Sequence, residues 1–193
     1  MIAATGLSKR FGYKRVFAGV ELQLGLGELL LVTGPNGSGK TTLLRVLAGL
    51  DAPSAGELEL PERAAVGYLG HEPLVYRELT PLENLHLFGR LYHVPGRAER
   101  IGMLLERFGL WDVRSDRVST FSRGMRQRLG LCRVLLHEPS LLILDEPFNA
   151  LDEAGSALLE ATLEELVEKH ALVVATHDPG RIERLATGRV AFA

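Results

Sequence analysis

Glu28-Leu29-Leu30-Leu31-Val32-Thr33-Gly34-Pro35-Asn36-Gly37-Ser38-Gly39-Lys40-Thr41 is the stretch on which the fold turns. Its first half is a short apolar run that ends in glycine, the pattern of a strand buried on both faces. Its second half, from Gly34, fits the phosphate-loop pattern Gly-x-x-x-x-Gly-Lys-Thr. In such a loop the glycines let successive backbone N–H groups converge on phosphate oxygens. A helix is expected from Thr41 to about Ala48, stopped by Gly49, with its positive N-terminal end aimed at the same anion. Lys40 can reach the β- and γ-phosphates of a nucleotide, and Thr41 can ligate Mg²⁺ through its hydroxyl.

The loop needs acidic residues brought to it from elsewhere in the chain. Leu141-Leu142-Ile143-Leu144-Asp145-Glu146-Pro147 reads as a second buried strand that ends in two acids. Asp145 is placed to enter the Mg²⁺ shell, directly or through water. Glu146 is then beside the γ-phosphate, where it can orient and deprotonate an attacking water. Two acids at a strand end are common by themselves; it is their pairing with the loop that points to a nucleotide-hydrolysing site.

Working outward, Ser54 to Leu69 reads as short strands and turns. Thr80-Pro81-Leu82-Glu83 is a capping box with proline at the first helical position, so a helix starts there. Arg97 to Phe108 reads as a helix closed by Gly109. Ser122 to about Leu136 is helical and rich in arginine on one side, and Asp152 to Lys169 is a long amphipathic helix. Leu172 to Thr176 is one more buried strand, and Arg189 to Ala193 a final edge strand. Buried strands alternating with helices mean an α/β fold with a mainly parallel sheet. The helical block from Thr80 to about Val118 interrupts that rhythm and is expected to be a helical subdomain inserted into a single domain, residues 1–193.

Composition narrows the function classes. With 193 residues the chain can bury a real core. A net charge of −2 lacks the basic excess of a dedicated nucleic-acid binder, and no nucleic acid is expected as partner. The single cysteine, Cys132, lies in an apolar helical stretch and reads as core packing in a reducing compartment. No apolar run approaches the roughly 20 residues that span a bilayer, and Met1 to Gly6 does not read as a signal peptide. The expected location is therefore cytosolic, with any membrane task performed through a partner. His86, His93, His137 and His170 show no ligand spacing, and no Cys-x-x-Cys-His haem-attachment motif is present.

Gly34–Thr42, Leu141–Pro147, Ala150-Leu151-Asp152 and Thr176-His177-Asp178 stand in an order and spacing that resembles an ABC ATPase domain over essentially the whole chain. The resemblance implies a P-loop NTPase (RecA-like) fold with an added antiparallel β subdomain, ATP and Mg²⁺ as cofactors, and ATP hydrolysis coupled to transport. It implies a homodimer in the ATP-bound state, each ATP lying between one subunit's phosphate loop and the other's signature motif, on the cytoplasmic face of the membrane beside an integral membrane subunit. Nucleotide contacts are implied at Gly34, Asn36, Gly37, Ser38, Gly39, Lys40, Thr41 and Thr42. Phe11 sits where the family stacks an aromatic on adenine, with Tyr13 as the rival. Asp152 belongs to the loop passing between the two sites, and His177 resembles the family's switch histidine, which contacts the γ-phosphate.

Two departures from the family pattern are informative. Phe121-Ser122-Arg123-Gly124-Met125 lies where the family carries Leu-Ser-Gly-Gly-Gln. Ser122 and Gly124, the γ-phosphate contacts from across the dimer, are kept, and Ser122 is also a good N-cap. His71 falls where most such domains have a glutamine that offers an oxygen to the metal shell. Mg²⁺ prefers oxygen, so His71 is expected to reach it only through water, though it could approach Mn²⁺ directly. Gly70-His71-Glu72-Pro73, followed by Glu78-Leu79-Thr80-Pro81-Leu82-Glu83-Asn84-Leu85, is similar to the haem-exporter ATPases of cytochrome c maturation. The competing expectations are an exporter of drugs, lipids or peptides, and a soluble ABC ATPase without a transport role. A small-molecule kinase fits less well, because it has no use for the signature stretch or His177.

Overall fold

The computed structural model describes residues 2–192. In chain order its elements are β1 (Ile2–Phe11), β2 (Lys14–Leu24), β3 (Leu29–Thr33), α1 (Lys40–Leu47), β4 (Ala55–Glu59), β5 (Val66–Leu69), α2 (Pro81–Leu91), α3 (Arg97–Arg107), α4 (Arg123–Leu135), β6 (Leu141–Asp145), α5 (Glu153–Val167), β7 (Ala171–Ala175) and β8 (Gly188–Ala191). Five strands pair in parallel in the order β5-β6-β7-β3-β8. The remaining three form an antiparallel sheet, β2-β1-β4. The last strand lies at an edge, as its sequence predicts, though Ala193 falls outside the described residues.

Alternation along the central strands divides the core in two. Leu29 and Leu31 of β3, Leu142 and Leu144 of β6, and Leu172 and Val174 of β7 face α2, α3, α4 and α5. Leu30, Val32, Leu141, Ile143, Val173 and Ala175 face α1 and the antiparallel sheet. This is the period-two pattern of a strand covered on both faces. Cys132 is buried in the first of these clusters and its thiol is pushed up in pKa by burial, as core packing requires.

Capping fixes where the helices begin. Thr80 Oγ1 accepts from the Glu83 amide at 3.2 Å, and the Glu83 carboxylate accepts from the Thr80 amide at 2.8 Å, closing the expected box at α2. Ser122 caps α4 by accepting from the Met125 amide, and Asp152 caps α5 by accepting from the Gly155 amide. Among the arginines of α4, Arg133 is buried, with only 7% of its surface exposed.

Register places the site. Val32 of β3 and Asp145 of β6 both pair with Ala175 of β7. The Glu146 amide donates to the Ala175 carbonyl at 2.8 Å, and the Thr176 amide donates to the Val32 carbonyl at 3.1 Å. The carboxyl ends of three adjacent strands are therefore level, and the loops that leave them open on one crevice, the usual ligand position of an open α/β sheet.

Candidate functional site

That crevice is a cleft of about 670 Å³, lined by Phe11, Asn36 through Thr42, His71, Asp145, Glu146 and His177. Every nucleotide-facing residue expected within one subunit lines it, except Gly34, which lies at the start of the loop. Gly39 caps α1 at φ 113°, and a Cβ there would come within 2.8 Å of Val16. Only glycine accepts both the conformation and the crowding. Phe11 is 56% exposed and stands on the wall of the cleft, whereas Tyr13 is fully exposed in the adjoining turn and does not line it.

The polar groups form a connected set. Thr41 Oγ1 donates to Asp145 Oδ2 at 2.7 Å. Burial pushes the Asp145 carboxyl above the usual carboxylate range, partly offset by that hydrogen bond. Lys40 is almost wholly buried, and its ammonium donates to the carbonyls of Gly34 at 2.8 Å and Pro35 at 3.2 Å. It also lies 3.7 Å from Glu146 Oε1, an ion-pair distance beyond hydrogen bonding. Glu146 holds a left-handed backbone, φ 50°, a strained conformation for a residue with a side chain. Its Oε2 lies 2.8 Å from His177 Nδ1, while Oε1 is buried without a hydrogen-bond partner. Ser38 Oγ, inside the phosphate loop, is likewise buried and unpartnered.

Thr41 and Asp145 fit the metal implied by the motifs. A hydroxyl and a carboxylate side by side are hard oxygen donors of the kind Mg²⁺ selects. Among the described residues no group of three or more His, Cys, Asp or Glu could hold a metal ion. An ion at Thr41 and Asp145 would complete its shell with oxygens from outside the protein, phosphate or water.

Ser122, Gly124 and Asp152 are not part of this cleft. They border a separate hollow of about 370 Å³ together with Ala150 and Leu151. Gly124 fits only because it lacks a side chain, since a Cβ would stand 2.6 Å from the Ala150 carbonyl oxygen. The sequence reading missed Lys14, Arg15, Val16 and Asn149, which also line the nucleotide cleft. The basic pair beside Phe11 was the available signal for the first two.

The family model described as ABC transporter matches residues 17–149. An uncharacterized ABC transporter ATP-binding protein, YdbJ of Bacillus subtilis (strain 168), is 40% identical over 192 residues, covering 93% of this chain and 62% of YdbJ. The cytochrome c biogenesis ATP-binding export protein CcmA of Pseudomonas syringae pv. tomato is 42% identical, covering 91% of this chain and 86% of that protein. The daunorubicin resistance ATP-binding protein DrrA3 of Streptomyces coeruleorubidus is 40% identical, covering 91% and 59%. The chain thus spans less than two thirds of YdbJ and DrrA3 but most of CcmA. A solved dimeric post-hydrolysis state of the ATP-binding cassette MJ0796, bound to ADP and Pi, superposes with a TM-score of 0.89 at 25% identity, covering 100% of this chain and 94% of that one. With the phosphate loop, the acidic strand end and His177 gathered on one crevice of this fold, the chain belongs to the ABC transporter family, as its ATP-binding and ATP-hydrolysing cassette.

Proposed function

We propose that two copies of this chain sandwich two ATP molecules and drive a separate integral membrane subunit. The observation that carries the reading is the separation of the two halves of the site. The phosphate cleft holds Lys40, Glu146 and His177, while Ser122 and Gly124 border a different hollow of the same subunit. Ser122 and Gly124 serve the γ-phosphate only if a second copy presents them.

In this reading Lys40 leaves its loop carbonyls for the β- and γ-phosphates. Glu146 Oε1 accepts the proton of the attacking water, and His177 holds the carboxylate through Oε2 while touching the γ-phosphate. Phe11 stacks on the adenine. Thr41 and Asp145 would hold Mg²⁺ and His71 would stand within reach of it through water; such an ion would supply charge stabilisation to the transferred phosphoryl group. Asp152 lies where the two copies meet.

Support for a membrane partner comes from a second groove of about 440 Å³, lined by His71, Pro73, Leu74, Val75, Arg77, Arg123 and Arg126. Leu74 is 60% exposed, an apolar side chain that invites cover. His71 lines both this groove and the nucleotide cleft, so a segment seated there would sense the nucleotide. Among the described residues no helix is long and apolar enough to cross a membrane. We place the chain on the cytoplasmic face, with no nucleic acid as partner. Purification from native membranes tests this: an integral membrane protein should accompany the chain, and DNA or ribosomes in its place would refute it.

For the cargo we favour haem export in cytochrome c biogenesis. The reading rests on Gly70-His71-Glu72-Pro73 and on the likeness to CcmA. Nearly equal identity to DrrA3 supports the second reading, an exporter of drugs, lipids or peptides. Deleting the chain's coding sequence separates them: loss of haem-stained c-type cytochromes supports the first, and drug sensitivity with intact cytochromes the second.

A further inference from the structure

Arg133 is buried on α4, yet no ion pair to it occurs among the described residues. Its guanidinium is spent on backbone. Nε donates to the Pro73 carbonyl at 3.2 Å and Nη2 to the Tyr68 carbonyl at 2.9 Å. Its face lies over the ring of Phe88, 5.3 Å from the centroid. Burial pulls its pKa below the usual arginine value, the mark of a charge held out of water without a countercharge. Taking an arginine out of water is costly, and an apolar residue would fill the space more cheaply. What an apolar residue cannot supply is a rigid fork of donors that holds two carbonyls at once.

Those two carbonyls bracket residues 69–72, the loop that carries His71 into the nucleotide cleft. Gly130, three residues earlier on α4, grips the same loop, since a Cβ there would stand 2.5 Å from Pro73 Cβ. The helix that makes both contacts starts at Ser122, in the other half-site. We infer that Arg133 is a positioning residue, which clamps the Tyr68–Pro73 loop onto α4 and so sets where His71 stands beside the nucleotide. A shift of α4 as Ser122 engages a partner's ATP is thereby passed to the subunit's own cleft. The inference rests on the reading of His71 as a nucleotide-site residue.

The test is a double-mutant cycle on the ATPase activity of the full chain. Arg133→Leu should lower kcat by about ten- to a hundredfold, the scale expected when a group at the reacting centre is displaced by about 1 Å. KM for ATP should stay within about twofold, because the phosphate loop and Phe11 are untouched. On a His71→Ala background the same substitution should cost less than about twofold more, since a clamp acts through the residue it places. Arg133→Lys, which keeps the charge but not the fork, should recover part of the loss; if Arg133→Leu lacks a cooperative thermal transition, Arg133→Lys carries the cycle instead. An undiminished loss of kcat on the His71→Ala background overturns the clamp and leaves the role of His71 standing. Wild-type kcat in His71→Ala overturns both.

Discussion

His177 Nδ1 lies 2.8 Å from Glu146 Oε2, and the carboxylate's other oxygen, Oε1, is buried without a hydrogen-bond partner, 3.7 Å from the Lys40 ammonium. One oxygen is fixed by a neighbour, and the other is the one that, in the proposed reading, accepts the proton of the attacking water. The strained backbone at Glu146 is part of the same arrangement, because it turns the side chain off the end of β6 and into the cleft.

Lys40→Ala should abolish hydrolysis, by more than about two orders of magnitude in kcat/KM, as loss of a preorganised charge at a phosphoryl centre does. It should also weaken ATP binding strongly, measured by titration calorimetry. Near-normal turnover would remove Lys40 from the site. The same change frees the Gly34 and Pro35 carbonyls, so the ligand-free loop should become more mobile in hydrogen exchange.

His71→Gln replaces a nitrogen donor with an oxygen donor at a position that lines the cleft. The expected outcome is a lower ratio of Mn²⁺-supported to Mg²⁺-supported ATPase activity, at matched free-metal concentrations. An unchanged ratio places His71 outside the metal shell and makes it a docking residue for the membrane subunit.

Gly124→Ala would drive a Cβ to 2.6 Å from the Ala150 carbonyl oxygen, so one of the two segments must move. Overpacking of this kind costs about 1–3 kcal/mol, to be read from the urea midpoint. The ATP-dependent association of two copies should weaken as well, because Ser122 and Asp152 border the same hollow. A variant with unaltered stability and association would contradict the assignment of this hollow to the partner's nucleotide.

His137 stacks on Tyr92 with ring centroids 4.0 Å apart, and burial lowers its pKa. The unfolded chain takes up this proton at a higher pH than the folded one. The stability contributed by neutral His137 is therefore present above the ordinary histidine value of 6.5 and is lost as pH falls from there toward the lower folded value. His137→Phe keeps the stack and removes the titration. Its urea midpoint should fall less than that of the wild type between about pH 7.5 and 5.5, the range in which an ordinary histidine titrates. An equal fall would show that burial of His137 is not the source of the pH dependence.

The parallel sheet was legible because its central strands β3, β6 and β7 are apolar runs, and the helix starts because Thr80, Ser122 and Asp152 carry their signal locally. The β1–β2 hairpin was not read from the residues. Register shifts between Ala4 and Leu7, and again toward Arg10, break its alternation, so no period of two survives in the sequence. The phosphate loop and Asp145–Glu146 were legible for the same local reason. Asn149 reaches the cleft only through tertiary placement, and Arg133 meets Pro73 and Tyr68 across some sixty residues of chain. Nothing in the sequence around an arginine on an apolar helix says which distant carbonyls it will find.

The central claim is that two copies close on ATP and that Glu146 performs the hydrolysis which reopens them. Glu146→Gln keeps the shape of the side chain and removes its basicity. Light scattering of this variant with and without Mg-ATP is the direct measurement, with turnover followed in parallel. The account predicts a monomer that binds ATP, hydrolyses almost none of it, and collects as a dimer only when ATP is present. A variant that remains monomeric at high protein and ATP concentration, or that still turns over near the wild-type rate, would contradict it.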